Sequence, residues 1–313
     1  MTATFHSLTP DITVIERGWL NCNQVVLRAP DRNVLIDSGY GRHAAATIGY
    51  VEEALGGGGL HWLLNTHCHS DHMGGNRALG AHFGCDITIP EGEVKHVVPW
   101  TEQSCWSEQM DQYAEQFEFD STLTAGDRFD AGGLKWVAVA APGHDMDALM
   151  FYAEAAGILV TGDALWERGM GFVWPERRGD PHSAGCINAA RSALDTVEQL
   201  APRTIVPGHG APFADVAAAL STARARLAAF EADPAKNARH ALKSLFVYAL
   251  LDRGSMPLAD VPAYLLKVPV YTQMREAFLG GTNAALAESL VGELVRAGAL
   301  RIDDGMILAT MRA

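Results

Sequence analysis

The densest chemistry in the chain lies in NTHCHSDHMGGN, residues 65–76, where His67, His69, Asp71 and His72 fall within six positions. Neutral imidazole and carboxylate are the donors preferred by zinc and other divalent first-row metals, so the stretch points to a metal site. Spacing matters as much as composition. Residues two apart share a side in extended chain, whereas on a helix they point about 200° apart. His67, His69 and Asp71 therefore converge only if a strand end delivers them. His72 breaks the alternation, so the chain must bend there, and Gly74 and Gly75 permit a bend that a side chain would obstruct. The same alternation turns Cys68 inward, as a small buried residue.

Three further segments carry ligand-type residues near expected strand ends: APGHD with His144, VTGDA with Asp163 and VPGHG with His209. Together with HCHSDH they resemble the metallo-β-lactamase superfamily, whose H-x-H-x-D-H motif and three downstream positions are all filled in order. The resemblance covers roughly residues 10 to 230. It implies an α/β fold, the αββα four-layer sandwich, with two mixed sheets inside, helices outside and metals in a cleft at one edge. It also implies that His67, His69 and His144 hold one metal, that Asp71, His72 and His209 hold a second, and that Asp163 bridges the pair.

Two divalent metal ions are thus expected, zinc first, with iron or manganese as alternatives. Two such cations against two carboxylates and one hydroxide leave about one positive charge to stabilise an oxyanion. Bound water falls from a pKa of about 15.7 toward 7, so a nucleophile exists at neutral pH. The expected function is a metal-dependent hydrolase. A metal-bridging hydroxide would cleave an ester-like, thioester, lactone or amide bond of a small molecule, with Asp71 and Asp163 as the catalytic carboxylates.

Departures from individual branches narrow the field. Familiar zinc β-lactamases have cysteine where this chain has Asp163, and the hydrolase of acylated glutathione has G-H-E-Y where this chain reads GHGA. A tRNA-processing nuclease would add an exosite arm and a basic surface; a flavodiiron oxygen reductase would add a flavodoxin-like domain. The alternative enzyme is a mononuclear iron persulfide dioxygenase, which uses the equivalents of His67, His144 and Asp163. The non-catalytic alternative is a metal-binding winged-helix protein. Asp37 in LIDSG reads as a turn former, or, from the resemblance, as a support for the metal loop. Trp100, Trp106, Trp166, Phe172 and Trp174 are candidates for the pocket wall or the core. Arg177, Arg178 and His182 are candidates for anion contacts or solvated loops.

The positioning elements follow from patterning. Short β-rich runs, TVIERG, NQVVLRAP and NVLIDSG, suggest an antiparallel sheet, then a helix near residues 43–56 and a buried strand at 61–64 that ends at the histidines. Surface helix is expected in 93–119. Strands are expected at LKWVAVAAPGH, at a hairpin turning near 155–157 and at RTIVPGHG, with helices near 184–199 and 213–232. EADPAKN reads as a boundary between a catalytic domain, 1–232, and a helical, winged-helix-like domain, 233–313. That second domain should hold helices at 238–252, 257–265 and 284–297, then a hairpin.

Composition limits the partners. A net charge of −13 over 313 residues disfavours nucleic acid, and no Lys or Arg lies between Ala284 and Val295 on the third helix. A small-molecule substrate is expected, with homodimerisation as a role for the second domain. Five widely spaced cysteines suit free thiols in a reducing compartment. No basic start precedes an apolar run, and no stretch approaches the roughly 18 apolar residues of a membrane span. The expected location is the cytoplasm.

Overall fold

A computed structural model of the chain describes residues 3–100, 107–176 and 183–311. The first sheet has seven strands in sequence order: β1 (Thr4–Thr9), β2 (Ile12–Glu16), β3 (Gln24–Leu27), β4 (Val34–Ile36), β5 (Trp62–Leu64), β6 (Asp86–Pro90) and β7 (Ser121–Leu123). β1 to β4 pair antiparallel, and β4 to β7 parallel. The second sheet holds β8 (Arg128–Ala131), β9 (Leu134–Ala140), β10 (Leu149–Ala153), β11 (Ile158–Gly162) and β12 (Thr204–Pro207), antiparallel except for β11 with β12.

Alternation explains how the layers stack. On β3 and β4, Val25, Leu27, Val34 and Ile36 meet Trp136, Phe151 and Val206 between the sheets. Their neighbours Val26 and Leu35 face outward, against Val51 and Leu55 of α1 (Ala44–Leu55) and Leu79 of the outer layer. Both faces are covered, so these strands are apolar on both sides rather than on one. On the far side, Met150, Leu159 and Ile205 pack beneath α6 (Cys186–Leu200) and α7 (Val216–Ala232). The four layers read helix, sheet, sheet, helix, as expected.

Between β5 and α6 lie α2 (Ser70–Met73), α3 (Asn76–Phe83), α4 (Val94–Val97) and α5 (Ser107–Met110). Among the described residues the 93–119 segment thus holds α4 and α5, in line with the helix expected there. Residues 111–119 have no regular structure, and Trp100, partly buried, packs edge to face on Phe117 of the core cluster under the first sheet. β1, β6, β7 and β8 were not foreseen.

The tail forms α8 (Pro234–Arg253), α9 (Val261–Lys267), α10 (Pro269–Met274), a π-helical turn over Arg275–Leu279, and α11 (Asn283–Arg296). A small sheet follows, in which β15 (Met306–Ala309) lies between β13 (Met256–Pro257) and β14 (Leu300–Asp303). EADPAKN is not an extended linker. Asp233 ends α7 and caps α8, its carboxylate accepting from Lys236 N at 3.1 Å, with Pro234 in the first turn where no N–H is needed. α8 therefore starts before the expected residue 238. The tail shares a core with earlier residues, since Leu20, Tyr40 and Met110 pack among Leu242, Phe246 and Leu290. No helix among the described residues is long and apolar enough to cross a membrane.

Candidate metal centre

β5 ends at Leu64, and the extended residues beyond it carry His67 and His69 before α2 bends the chain to present Asp71 and His72. The glycines after α2 do not adopt left-handed backbone. Instead they let backbone segments touch, since a Cβ on Gly74 would lie 2.5 Å from Gly41 N and one on Gly75 would run into Ser38 O. Across the cleft, His144 follows β9, Asp163 follows β11 and His209 follows β12. Sheet closure brings all seven side chains together.

They form two candidate sets. One ligand atom each from His67, His69 and His144 lie within 4.8 Å of one another, and so do those of Asp71, His72, Asp163 and His209. Asp163 faces both. Its Oδ1 is 3.3 Å from His72 Nε2 and 3.7 Å from His209 Nε2, while its Oδ2 is 3.4 Å from His144 Nε2. His69 Nδ1 and His144 Nε2 approach to 2.8 Å, and His209 Nε2 to 3.1 Å of Asp71 Oδ2. His67 Nε2 and His72 Nε2 are buried without a hydrogen bond. Buried polar atoms normally find partners, so orphans aimed at carboxylates and imidazoles fit a bound cation. A third group, Cys22, Asp37 and His72, is fully buried and shares His72 with the second set.

Electrostatics agree. Burial, then the neighbouring His72, His69 and His144, drives His67 well below the ordinary imidazole pKa, and burial with His144 takes His69 to about 4. Both are therefore neutral donors at physiological pH. Burial alone would also discourage charge on His72 and Asp163. Around His72, however, Cys22, Asp163, Asp37 and Asp71 outweigh it and raise the pKa, while His72, His209 and His144 hold Asp163 well below the carboxylate range. The carboxylates demand positive charge at the centre, and in the metal-free chain a proton on His72 supplies it.

A hydrogen-bonded layer fixes the rings. Asp37, in left-handed backbone at φ 61°, takes Thr66 N and Thr66 Oγ1 at 2.8 Å each and His72 Nδ1 at 2.9 Å. His67 Nδ1 donates to Thr66 Oγ1 at 3.1 Å, and His144 Nδ1 to Phe172 O at 2.6 Å. His69 Nε2 points at Asp145, 3.5 Å away. Glu93, buried beside Asp145 and accepting from Cys68 N, keeps its proton because burial and Asp145 both raise its pKa. Cys68 is itself buried in the core, as its alternation requires. Asp37→Asn is expected to weaken metal affinity about 10- to 100-fold while the chain stays folded, read by competition with a chelator.

His209 is held mainly by rings. Trp19 stacks on it at 5.3 Å and 4°, and Trp166 meets it edge-on at 5.1 Å while donating Nε1 to Asp163 Oδ1 at 3.2 Å. The ring of Tyr248, from α8, lies 6.4 Å away.

The family model of the metallo-beta-lactamase superfamily matches residues 17–209. The chain belongs to this superfamily. Hydroxyacylglutathione hydrolases from Brucella ovis and Brucella canis are each 30% identical over 161 residues, covering 50% of this chain and 55% of theirs. The chain thus spans about half the length of the curated relatives it matches. A beta-lactamase domain protein from Burkholderia ambifaria superposes with a TM-score of 0.57 at 19% identity, covering 98% of this chain and 93% of that one. A metallo-beta-lactamase family protein from Thermus thermophilus gives 0.55 at 20%, covering 98% of each. These two show the fold.

On this metallo-β-lactamase fold, the seven expected residues meet at one edge. The open space beside them is a cavity of about 640 Å³, walled on one side by the loop carrying Trp166 to Phe172 and on the other by α8 and α11. Of the aromatic candidates, Trp166 and Phe172 line it and Trp174 packs on Phe172 at 5.4 Å, while Trp100 packs, partly buried, against the core under the first sheet. Trp106, Arg177, Arg178 and His182 lie outside the described residues. Trp19, Thr66, Tyr248 and Arg226 were not foreseen. Their residue types carry no ligand signal, and Tyr248 and Arg226 sit on helices far along the chain.

His240, which lines the same cavity, is brought to a pKa of about 4 by burial and by Arg226 and Lys243. Its folded pKa lies below the unfolded value near 6.5, so between them the unfolded state binds the extra proton. Stability should therefore fall as pH drops from about 6.5 to about 4, by at most about 3 kcal/mol from this group. Urea titrations across that range should show a flatter loss in His240→Gln.

Proposed function

We propose that the protein is a metallohydrolase that cleaves an ester-like, thioester, lactone or amide bond of a small molecule. His67, His69 and His144 would hold one divalent ion, Asp71, His72 and His209 a second, and Asp163 both. The observation that carries this reading is the division of Asp163's two oxygens between the two donor sets. When bound, the ions supply Lewis acidity and lower the pKa of coordinated water. Zinc suits the nitrogen-rich donor set, with iron or manganese as alternatives. The relatives named hydrolases support the reaction class.

The chain's own side chains do the rest. Asp71, within reach of His209, orients the attacking group and takes its proton. Burial together with Asp71 and Asp163 keeps the Tyr248 phenol protonated, so it faces the cleft as a donor to a developing oxyanion. Trp19 and Phe172 exclude water from the flank of the cleft. We assign residues 1–232 to the catalytic domain and 233–313 to a winged-helix-like domain that roofs it. Four buried free cysteines among the described residues support a reducing, cytoplasmic setting.

The test is metal analysis with a substrate panel of aryl esters, lactones, β-lactams, phosphodiesters and thioesters, an acylated glutathione among them. Close to two equivalents of metal should fall toward one in His209→Ala, and the parent chain should turn over at least one carbonyl class. One equivalent of iron, with oxygen consumed in the presence of a glutathione persulfide, would replace this reading with a dioxygenase.

A further inference from the structure

We propose that the cavity ends in an anion-binding subsite built on Arg226, so that the substrate is a largely apolar acyl compound whose far end carries a carboxylate. This substrate class rests on the hydrolase reading; the subsite does not. Apolar side chains make up much of the cavity wall, with Met170, Phe172, Leu245, Val247, Leu251 and Leu294. The same wall carries a charged group, Arg226, His240, Lys243 and Glu293.

Arg226 is the unanswered charge of this group. Arg239 and Lys243 both pair with Glu293, at 2.9 and 3.3 Å, so that carboxylate is already shared between two cations. Arg226 is half-buried and, among the described residues, has no acidic partner. Among the same residues its one hydrogen bond runs from Nη2 to Arg168 O at 2.8 Å. A guanidinium offers five N–H donors in a fork that matches a carboxylate, and this one lines the cavity with a single hydrogen bond among the described residues. Burial lowers its pKa. His240, held neutral beside it, adds a donor without adding charge.

The loop from Trp166 to Phe172 measures the separation. A Cβ on Gly169 would run into the Arg226 guanidinium, and one on Gly171 would lie 2.7 Å from His144 Nδ1 and 2.9 Å from Asp163 Cβ. Those two glycines are two residues apart, so their backbones are at most about 7 Å from each other. An acyl chain of medium length spans such a gap, its carbonyl at the donors and its terminal carboxylate at Arg226.

The experiment compares para-nitrophenyl hexanoate with the mono-para-nitrophenyl ester of adipate, which differs chiefly in ending in a carboxylate. The as-purified protein should favour the adipate ester in kcat/KM. Arg226→Met should lower that value about 10- to 100-fold and change the hexanoate by less than about threefold. Arg226→Lys should recover part of the loss. In parallel, quenching of Trp19 and Trp166 fluorescence reads binding of phenylhexanoate against phenylhexanol, with Arg224→Met, whose arginine pairs with Asp195 and Glu198 on the surface, as the charge control. The acid should bind about tenfold or more tightly than the alcohol, an advantage lost in Arg226→Met and kept in Arg224→Met. If both esters and both ligands weaken equally in Arg226→Met, the residue only props the loop and the subsite is wrong. If hydrolysis proceeds without preference for the acid, the subsite fails and the hydrolase stands. If neither ester is cleaved but the acid still binds through Arg226, the hydrolase reading fails and the subsite stands.

Discussion

Asp163→Asn should leave a folded chain that holds one equivalent of metal or less and hydrolyses its substrates at least about 10³-fold more slowly, a loss of about 4 kcal/mol of transition-state stabilisation. The substitution keeps the size of the side chain and an oxygen for Trp166 Nε1, which donates to Oδ1 at 3.2 Å. What it removes is the negative charge and one of the two oxygens that face opposite donor sets. An amide nitrogen cannot accept where that oxygen did, so one set loses its anionic member. Metal analysis and steady-state rates on one preparation decide it. Two equivalents of metal with activity within about tenfold of the parent would refute the shared role of Asp163.

Gly208→Ala should be nearly as damaging, for a reason of space alone. Its backbone is not left-handed, so alanine fits the local conformation. A Cβ there would run into Asp163 Oδ1 and lie 3.0 Å from the carbonyl carbon and oxygen of Gly162. Backbone cannot yield cheaply, so the carboxylate must move. Overpacking of this kind costs about 1–3 kcal/mol, and here it also displaces the Asp163 oxygen shared by His72 and His209. Gly210→Ala is the comparison. Gly210 has φ 89° and open space, so alanine there should strain the backbone by about 1 kcal/mol and leave metal content unchanged. Thermal melts and metal analysis of both variants separate the effects. Equal metal content in the two would show that the Asp163 position tolerates crowding.

The donors were legible because their spacing encodes geometry. His67 and His69 alternate at a strand end, and His144, Asp163 and His209 each sit just beyond a short apolar run that reads as a strand. The sheets themselves were legible where a short, β-branched apolar run lies between turn residues, as in Val25 to Leu27 and Val34 to Ile36. The supports were less so. Asp37 looks like any turn residue until its two oxygens are seen on Thr66 and His72. Trp19, Tyr248 and Arg226 reach the cleft through tertiary packing, and nothing in their local sequence distinguishes them from core or surface residues. In the tail, Pro269 sits at the start of α10 rather than ending a helix, which concealed the stretch from Pro269 to Leu279.

The single residue Asp233 between α7 and α8 has a consequence for the register of the cavity walls. Arg226 stands on one side of this joint, and Lys243 and Tyr248 on the other. Inserting one residue into a helix rotates everything beyond it by about 100°. One residue added in the first turn of α8 would therefore turn Lys243 and Tyr248 away from Arg226 and break the packing of the tail on Leu20, Tyr40 and Met110. The two walls of the cavity are thus held in one register by a single capping residue.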